Sequence, residues 1–191
     1  MKNKITFIAL LLCWLMSAGA LASPIYSQLV VLGDSFSDSG NNAALFDKFL
    51  GGARTSVPLP ASDIIPYAPY PSNRYSNGPV WVEQLADELG LSAQASLLGG
   101  TNYAYGGARV GQPVSPTLRL SLPSQAAQFL TDTGDKASSD SLYVIEGGGN
   151  DARDALEAMV VGNLAAVDQI IDAFTTNITT IVKDLSRAGA T

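Results

Sequence analysis

Two apolar runs, QLVVL at 28–32 and LYVIE at 142–146, each break off at glycine, and segments of helical period stand between and after them. That ordering restricts the fold more than any other feature of the chain. Short runs with β-branched residues at their centre, stopped by glycine, read as buried strands. Residues 42–50 carry Leu45, Phe46, Phe49 and Leu50 at helical spacing, and 79–89 carry Val82, Leu85, Ala86 and Leu89. Pro79 suits the first turn of the second of these helices, and Gly90 stops it. Asn102–Ala104 reads as a short strand running into Gly106-Gly107, and Pro123–Leu130 as a further helix that starts on proline. The most regular segment is 163–188, where Leu164, Val167, Ile170, Ile171, Phe174, Ile178, Ile181, Val182 and Leu185 recur at three- and four-residue steps. Asn163 is placed to cap its start and Gly189 its end. Alternation of this kind predicts an α/β fold with a mostly parallel sheet and helices on both faces. Ligands bind such sheets outside the carboxyl ends of the strands. The three glycine-marked strand ends are therefore expected at one edge.

The 191 residues suffice for one domain, and 47% hydrophobic content can fill a core. Lys2 and Lys4, the apolar run Ile5–Met16 and the small-x-small ending Ala20-Leu21-Ala22 predict a signal peptide over 1–22. The apolar run is short for a bilayer span of roughly 20 residues; a membrane anchor is the alternative. Export would place the chain outside the cell, in a periplasm or at an outer-membrane surface. Cys13 lies inside the leader, so the remainder would carry no thiol. It would hold 9 basic and 17 acidic residues, a net charge of −8. An acidic chain with no basic cluster argues against nucleic acid as a partner. Residues 51–78 read as a long loop, ordered by the prolines and tyrosines of 66–71.

The residues just past the strand ends carry the chemistry. Ser35, in GDSFSDSGNN at 33–42, places a hydroxyl on a sharp turn after a strand, where acyl transfer needs one exposed and held still. Its own N–H would face a bound carbonyl. Taken alone, Gly33-Asp34-Ser35 is also ordinary turn chemistry. Gly106, in NYAYGGA at 102–108, lets main chain approach a ligand closely, and equally fits a simple tight turn. Asn150 follows Gly147-Gly148-Gly149. Its amide is a neutral donor suited to an oxyanion, or a cap for the helix that Asp151 begins.

Together these blocks resemble the SGNH hydrolases, or GDSL family of esterases and lipases. GDSFSDSGNN, NYAYGGA and GGND at 148–151 stand in that family's order, and RYSNGPVWVEQLA at 74–86 is similar to its larger secreted members. The likeness runs from about Tyr26 to the last residue and looks closest to bacterial secreted or outer-membrane esterases, including autotransporter types. Phe36 replaces the family's leucine with another apolar residue. The resemblance implies a three-layer α/β/α, flavodoxin-like fold, and an ester hydrolase acting on a small-molecule or lipid ester without a cofactor. Ser35 is implied as nucleophile, with Ser35 N–H, Gly106 N–H and the Asn150 side chain as oxyanion donors.

The family's last block, an Asp with a His three residues on, has no counterpart. The chain contains no histidine and ends at LSRAGAT, 185–191. The expectation is an N-terminal portion of a hydrolase domain over 23–191, inactive by itself, its outer-membrane association depending on a missing C-terminal part. Asp34, Asp38 and Asp151 are the nearby carboxylates, weak bases at an ordinary pKa near 4. A non-catalytic acyl- or glycan-binding module and a nonfunctional truncated product are the alternatives. The pairs Asp132/Asp135 and Asp151/Asp154 lack the oxygen spacing of a calcium loop. Glycines 147–149 lack the Gly-Lys-Ser/Thr of a phosphate loop, and no zinc site is expected without His or Cys. Asn177-Ile178-Thr179 matches a glycosylation acceptor by chance, in mid-helix. Tyr67, Tyr70 and Tyr75 are expected to pack the long loop rather than line a pocket.

Overall fold

A computed structural model describes residues 25–50, 72–111 and 121–191. The leader at 1–22, Tyr67 and Tyr70 lie outside these described residues.

Strand β1, Gln28–Leu32, occupies the predicted span, and β2, Ser141–Ile145, starts one residue earlier than its apolar run. They pair in parallel, with Gln28 opposite Ser141 and Leu32 opposite Ile145. On the other edge of β1 lies Thr101–Tyr105. Val31 N–H donates to the Thr101 carbonyl at 3.1 Å, and Tyr103 and Tyr105 N–H donate to the Val31 and Gly33 carbonyls at 2.7 and 3.1 Å. Beyond it, Ala95 bridges in parallel to Asn102. The strand expected at Asn102–Ala104 is thus a ladder along β1 but not a regular strand on its outer side. The Asn102 side-chain carbonyl accepts the Ala104 N–H at 2.9 Å, diverting the amide that would continue the outer ladder.

Helices α1 (Asn41–Leu50), α2 (Trp81–Glu88), α3 (Leu122–Thr133), α4 (Gly149–Val160) and α5 (Leu164–Ala188) connect and cover the sheet. Pro79 stands outside α2, correcting its expected place in the first turn. Val80 stays extended, and its N–H donates to the Glu83 carboxylate at 2.9 Å, so the helix begins at Trp81. Ser121 caps α3, accepting the Ser124 N–H, and Gly134 ends it at φ +63°. Asn163 and Gly189 cap α5, as the sequence implied.

Alternate residues of β1 face opposite cores. Val30 and Leu32 pack with Leu122, Ala126 and Phe129 of α3 and Ile181 and Leu185 of α5. Leu29 and Val31 pack with Val82 and Ala86 of α2 and with Ala93 and Ala104. Helices therefore cover both faces, the three-layer α/β/α arrangement. The strand ends converge because the pairing is parallel and in near register: Glu146 N–H donates to the Leu32 carbonyl at 2.9 Å, beside the Tyr105–Gly33 bond.

Candidate active site at the carboxyl edge of the sheet

The Ser35 turn is fastened from below. Gln125, fully buried on α3, accepts the Gly33 N–H at 2.8 Å and donates to the Gly33 carbonyl at 2.9 Å. Ser37 N–H closes the turn on the Asp34 carbonyl at 3.1 Å, and the Asp34 side chain accepts the Phe36 N–H at 3.0 Å. The Ser37 hydroxyl donates to Glu146 at 3.0 Å and accepts the Trp81 indole N–H at 3.1 Å. Gly33 fits this crowded corner because a Cβ there would stand 2.9 Å from the Ser37 Cβ. Ser35 itself is half-buried. Among the described residues neither its hydroxyl nor its N–H has a hydrogen-bond partner.

Asn150 lies in the first turn of α4 and joins the three strand ends. Its amide donates to the Ala108 carbonyl at 2.8 Å and reaches Asp34 Oδ2 at 3.5 Å. Gly148, at φ +111°, is the residue before the helix, so Asn150 is not its cap. Of its two amide hydrogens one is given to Ala108 and the other only at long range to Asp34 Oδ2, the weaker bond being the one a ligand oxygen would displace.

Gly106 behaves differently from its expected role. Its N–H donates to Asp38 Oδ2 at 2.9 Å, so this amide is held inward by a carboxylate. Its carbonyl accepts from Asn42 Nδ2 at 2.9 Å. A Cβ on Gly106 would lie 2.1 Å from Tyr75 Cε2, so the glycine makes room for a ring. The next residue, Gly107, has φ +87°, and its N–H has no partner among the described residues. The donor that this turn leaves available is one residue later than the sequence indicated. A glycine pair does not reveal which of its two amides is turned outward.

Four carboxylates surround the turns. Asp38 is fully buried and accepts the N–H groups of Gly40, Asn41, Asn42 and Gly106. Burial pushes its pKa up, against these four bonds, which favour the charged form. Asp151 accepts the Val110 and Gly111 N–H groups at 2.9 and 2.8 Å and so pins the second loop to α4. Asp34 is raised to about 6, first by burial and then by the neighbouring carboxylates of Glu146 and Asp151. Its oxygens face Phe36 N–H, Asn150 and Glu146 and make no bond to the Ser35 hydroxyl.

The sign of the Asp34 effect is testable. A folded-state pKa above the ordinary 3.8 makes folding favour the proton, so this contribution is complete below pH 4 and disappears as pH rises through 6. Asp34→Asn keeps an acceptor for Phe36 and cannot titrate. Relative to the wild type its urea midpoint is expected to rise steadily between pH 4 and 7. Parallel midpoint–pH curves for the two proteins would contradict this.

Gln125 and Glu146 were not foreseen as site residues, and Asp38 was weighed only as a weak base. Gln125 and Glu146 interrupt apolar runs, and Asp38 precedes a helix start; a polar residue in such a place is the signal that was available. Asn177 donates to the Val110 and Gly111 carbonyls at 2.8 and 3.1 Å, which gives the glycosylation-like triplet a structural occupation. Tyr75 does pack its loop, its hydroxyl accepting from Asn42 Nδ2 at 2.7 Å. Asp132 accepts the Tyr103 hydroxyl hydrogen at 3.1 Å, and Asp154 pairs with Arg109.

Residues 29–190 match the family model described as GDSL-like lipase/acylhydrolase. The chain belongs to this family. Over 130 residues, 67% of the chain, it is 34% identical to the phosphatidylcholine-sterol acyltransferase of Aeromonas hydrophila. Over 165 residues, 86% of the chain, it is 27% identical to Lipase 1 of Photorhabdus luminescens. The chain spans only 33% of the first relative's length and 21% of the second's. GDSL membership supports ester hydrolysis at the family level and agrees with the three-layer fold. It brings with it a reason for the paired turns: a serine after the first strand opposite amide donors is an arrangement suited to acyl transfer.

Proposed function

We propose that this GDSL-family domain forms an acyl-enzyme on Ser35 from a carboxylic ester, lipid or small-molecule, and releases the acid to water. Ser35 Oγ would bond to the carbonyl carbon while the C=O electron pair moves onto oxygen. That oxygen would be received by Ser35 N–H, Gly107 N–H and the second hydrogen of Asn150. Collapse would re-form the carbonyl and expel the alcohol, and water would then repeat the attack on the acyl-enzyme. The observation that carries this reading is the Asn150 side chain. It ties the Ser35 turn to the Gly106–Ala108 turn, and its long 3.5 Å bond to Asp34 is the weak one that an oxyanion would displace.

The serine proton needs an acceptor, and the 191 residues contain no histidine. Asp34, though raised to about 6, is turned toward Glu146 and Asn150. We therefore assign the base to none of the described residues. In a studied serine protease, roughly 10³–10⁴-fold acceleration over water survives loss of a triad member. Purified chain is expected to hydrolyse p-nitrophenyl butyrate no faster than its Ser35→Ala variant within a few-fold. A strong Ser35-dependent rate would overturn the assignment of the base. Prolonged incubation with a fluorophosphonate, read by peptide mass spectrometry, should place the label on Ser35 and spare Ser37 and Ser39. Labelling of the latter two alone would overturn the nucleophile. With an export leader at 1–22, the reaction would take place outside the cytoplasm.

A further inference from the structure

The turn at 106–108 is held by its carbonyls. Gly106 C=O accepts from Asn42 Nδ2 at 2.9 Å, Gly107 C=O from Arg109 Nη1 at 3.1 Å, and Ala108 C=O from Asn150 Nδ2 at 2.8 Å. A trans peptide is planar, and its C=O and N–H point in opposite directions. Drawing the Gly106 carbonyl toward α1 therefore turns the Gly107 N–H away from α1. Asp38 removes the competing Gly106 amide, and the Ala108 N–H is spent on the Tyr105 carbonyl at 3.0 Å.

From these contacts we infer that Asn42 is a positioning residue that fixes the direction of the Gly107 amide, and that Arg109 supports it by holding the next peptide of the turn. Asn42 is fully buried at the start of α1, and its amide nitrogen is committed to the Gly106 carbonyl and the Tyr75 hydroxyl. Its Oδ1 is buried with no hydrogen-bond partner among the described residues. A buried acceptor left unbonded works against stability, so what this side chain contributes lies in where its nitrogen points. Tyr75 completes the support by packing its ring against Gly106. Arg109 acts from the other side of the turn. Its guanidinium is fixed by Asp154 of α4, with Nη2 donating to Oδ1 at 3.0 Å, so the Gly107 carbonyl is tied to the same helix that carries Asn150. The inference rests on the proposed function, because it concerns the amide assigned there to the oxyanion.

Butylboronic acid tests it without turnover. The Ser35 oxygen adds to boron, the hydroxyl proton passes to buffer, and the resulting tetrahedral boronate anion places one of its B–OH oxygens where the ester oxyanion would sit. In the 191-residue chain, ¹H–¹⁵N spectra should show the Gly107 amide proton moving downfield on adduct formation, while Gly106 stays fixed by Asp38. Asn42→Asp sets a carboxylate oxygen against the Gly106 carbonyl. It is expected to weaken the boronate at least tenfold and to abolish the Gly107 shift. Arg109→Met, which keeps the aliphatic stem, should do the same to a smaller degree and serves if Asn42→Asp does not fold. Unchanged affinity and an unchanged Gly107 shift in a folded variant would overturn the positioning role and leave the Ser35 reading standing. Absence of any Ser35-dependent adduct in the wild type would overturn both.

Discussion

Phe129→Ala is expected to cost about 3–5 kcal/mol of folding free energy, the range for deleting a large buried aromatic. Phe129 is 1% exposed at the centre of the larger core. Its ring meets Tyr103 and Tyr143 edge-on, with centroids 5.8 and 5.9 Å apart, so one side chain from α3 joins β2 to the 101–105 run on the far side of β1. Truncation leaves a cavity between layers that cannot easily collapse, because the strands on either side are hydrogen-bonded to β1. Domains of this kind are stable by roughly 5–15 kcal/mol, so the variant should unfold at a clearly lower urea concentration. Phe129→Leu should lose less than half as much. Equal midpoints for wild type and Phe129→Ala would show that the layers are not coupled through this ring.

Asp38→Ala is the second large effect. One fully buried carboxylate satisfies three amides at the start of α1 and the Gly106 amide of a different loop. Its removal leaves four buried donors, each costing about 1–3 kcal/mol when unsatisfied. Some will relax toward water, and a net loss of about 3 kcal/mol or more remains. Asp38→Asn keeps one acceptor oxygen but turns an NH₂ group toward the donors of the other, so it should fall between the two. Amide exchange gives a sharper reading than melting: Asn41, Asn42 and Gly106 should lose protection together in Asp38→Ala. Selective loss at Asn41 and Asn42, with Gly106 still protected, would mean that Asp38 serves only as a helix cap.

Much of the architecture could be read before any coordinates. QLVVL is β1, and Asn163 and Gly189 bound the long helix, because strand and cap signals are local and each residue states its own preference. Errors gathered where a neighbour distant in sequence decides the outcome. Pro79 is a good first-turn residue, yet Glu83 reaches back to Val80 and starts the helix later. Asn102–Ala104 has strand character, but an Asn102 side-chain bond ends its outer ladder. At the site, the turns that carry Ser35 and Asn150 were legible from the strand-ending glycines before them. The choice between Gly106 and Gly107 was not, since it depends on Asp38 and Asn42 taking up the first peptide group.

Sequence alone determined the layer order of this protein, its strand-end turns and the residue types from which an acyl-transfer site would be built. Periodicity and glycine stops act within a few residues, so they can be read along the chain. The tertiary structure decided which amide of the glycine pair is left free, which carboxylates are structural and that burial raises the Asp34 pKa to about 6. Those outcomes follow from burial and from hydrogen bonds between groups distant along the chain, and they exist only once the strand ends have come together.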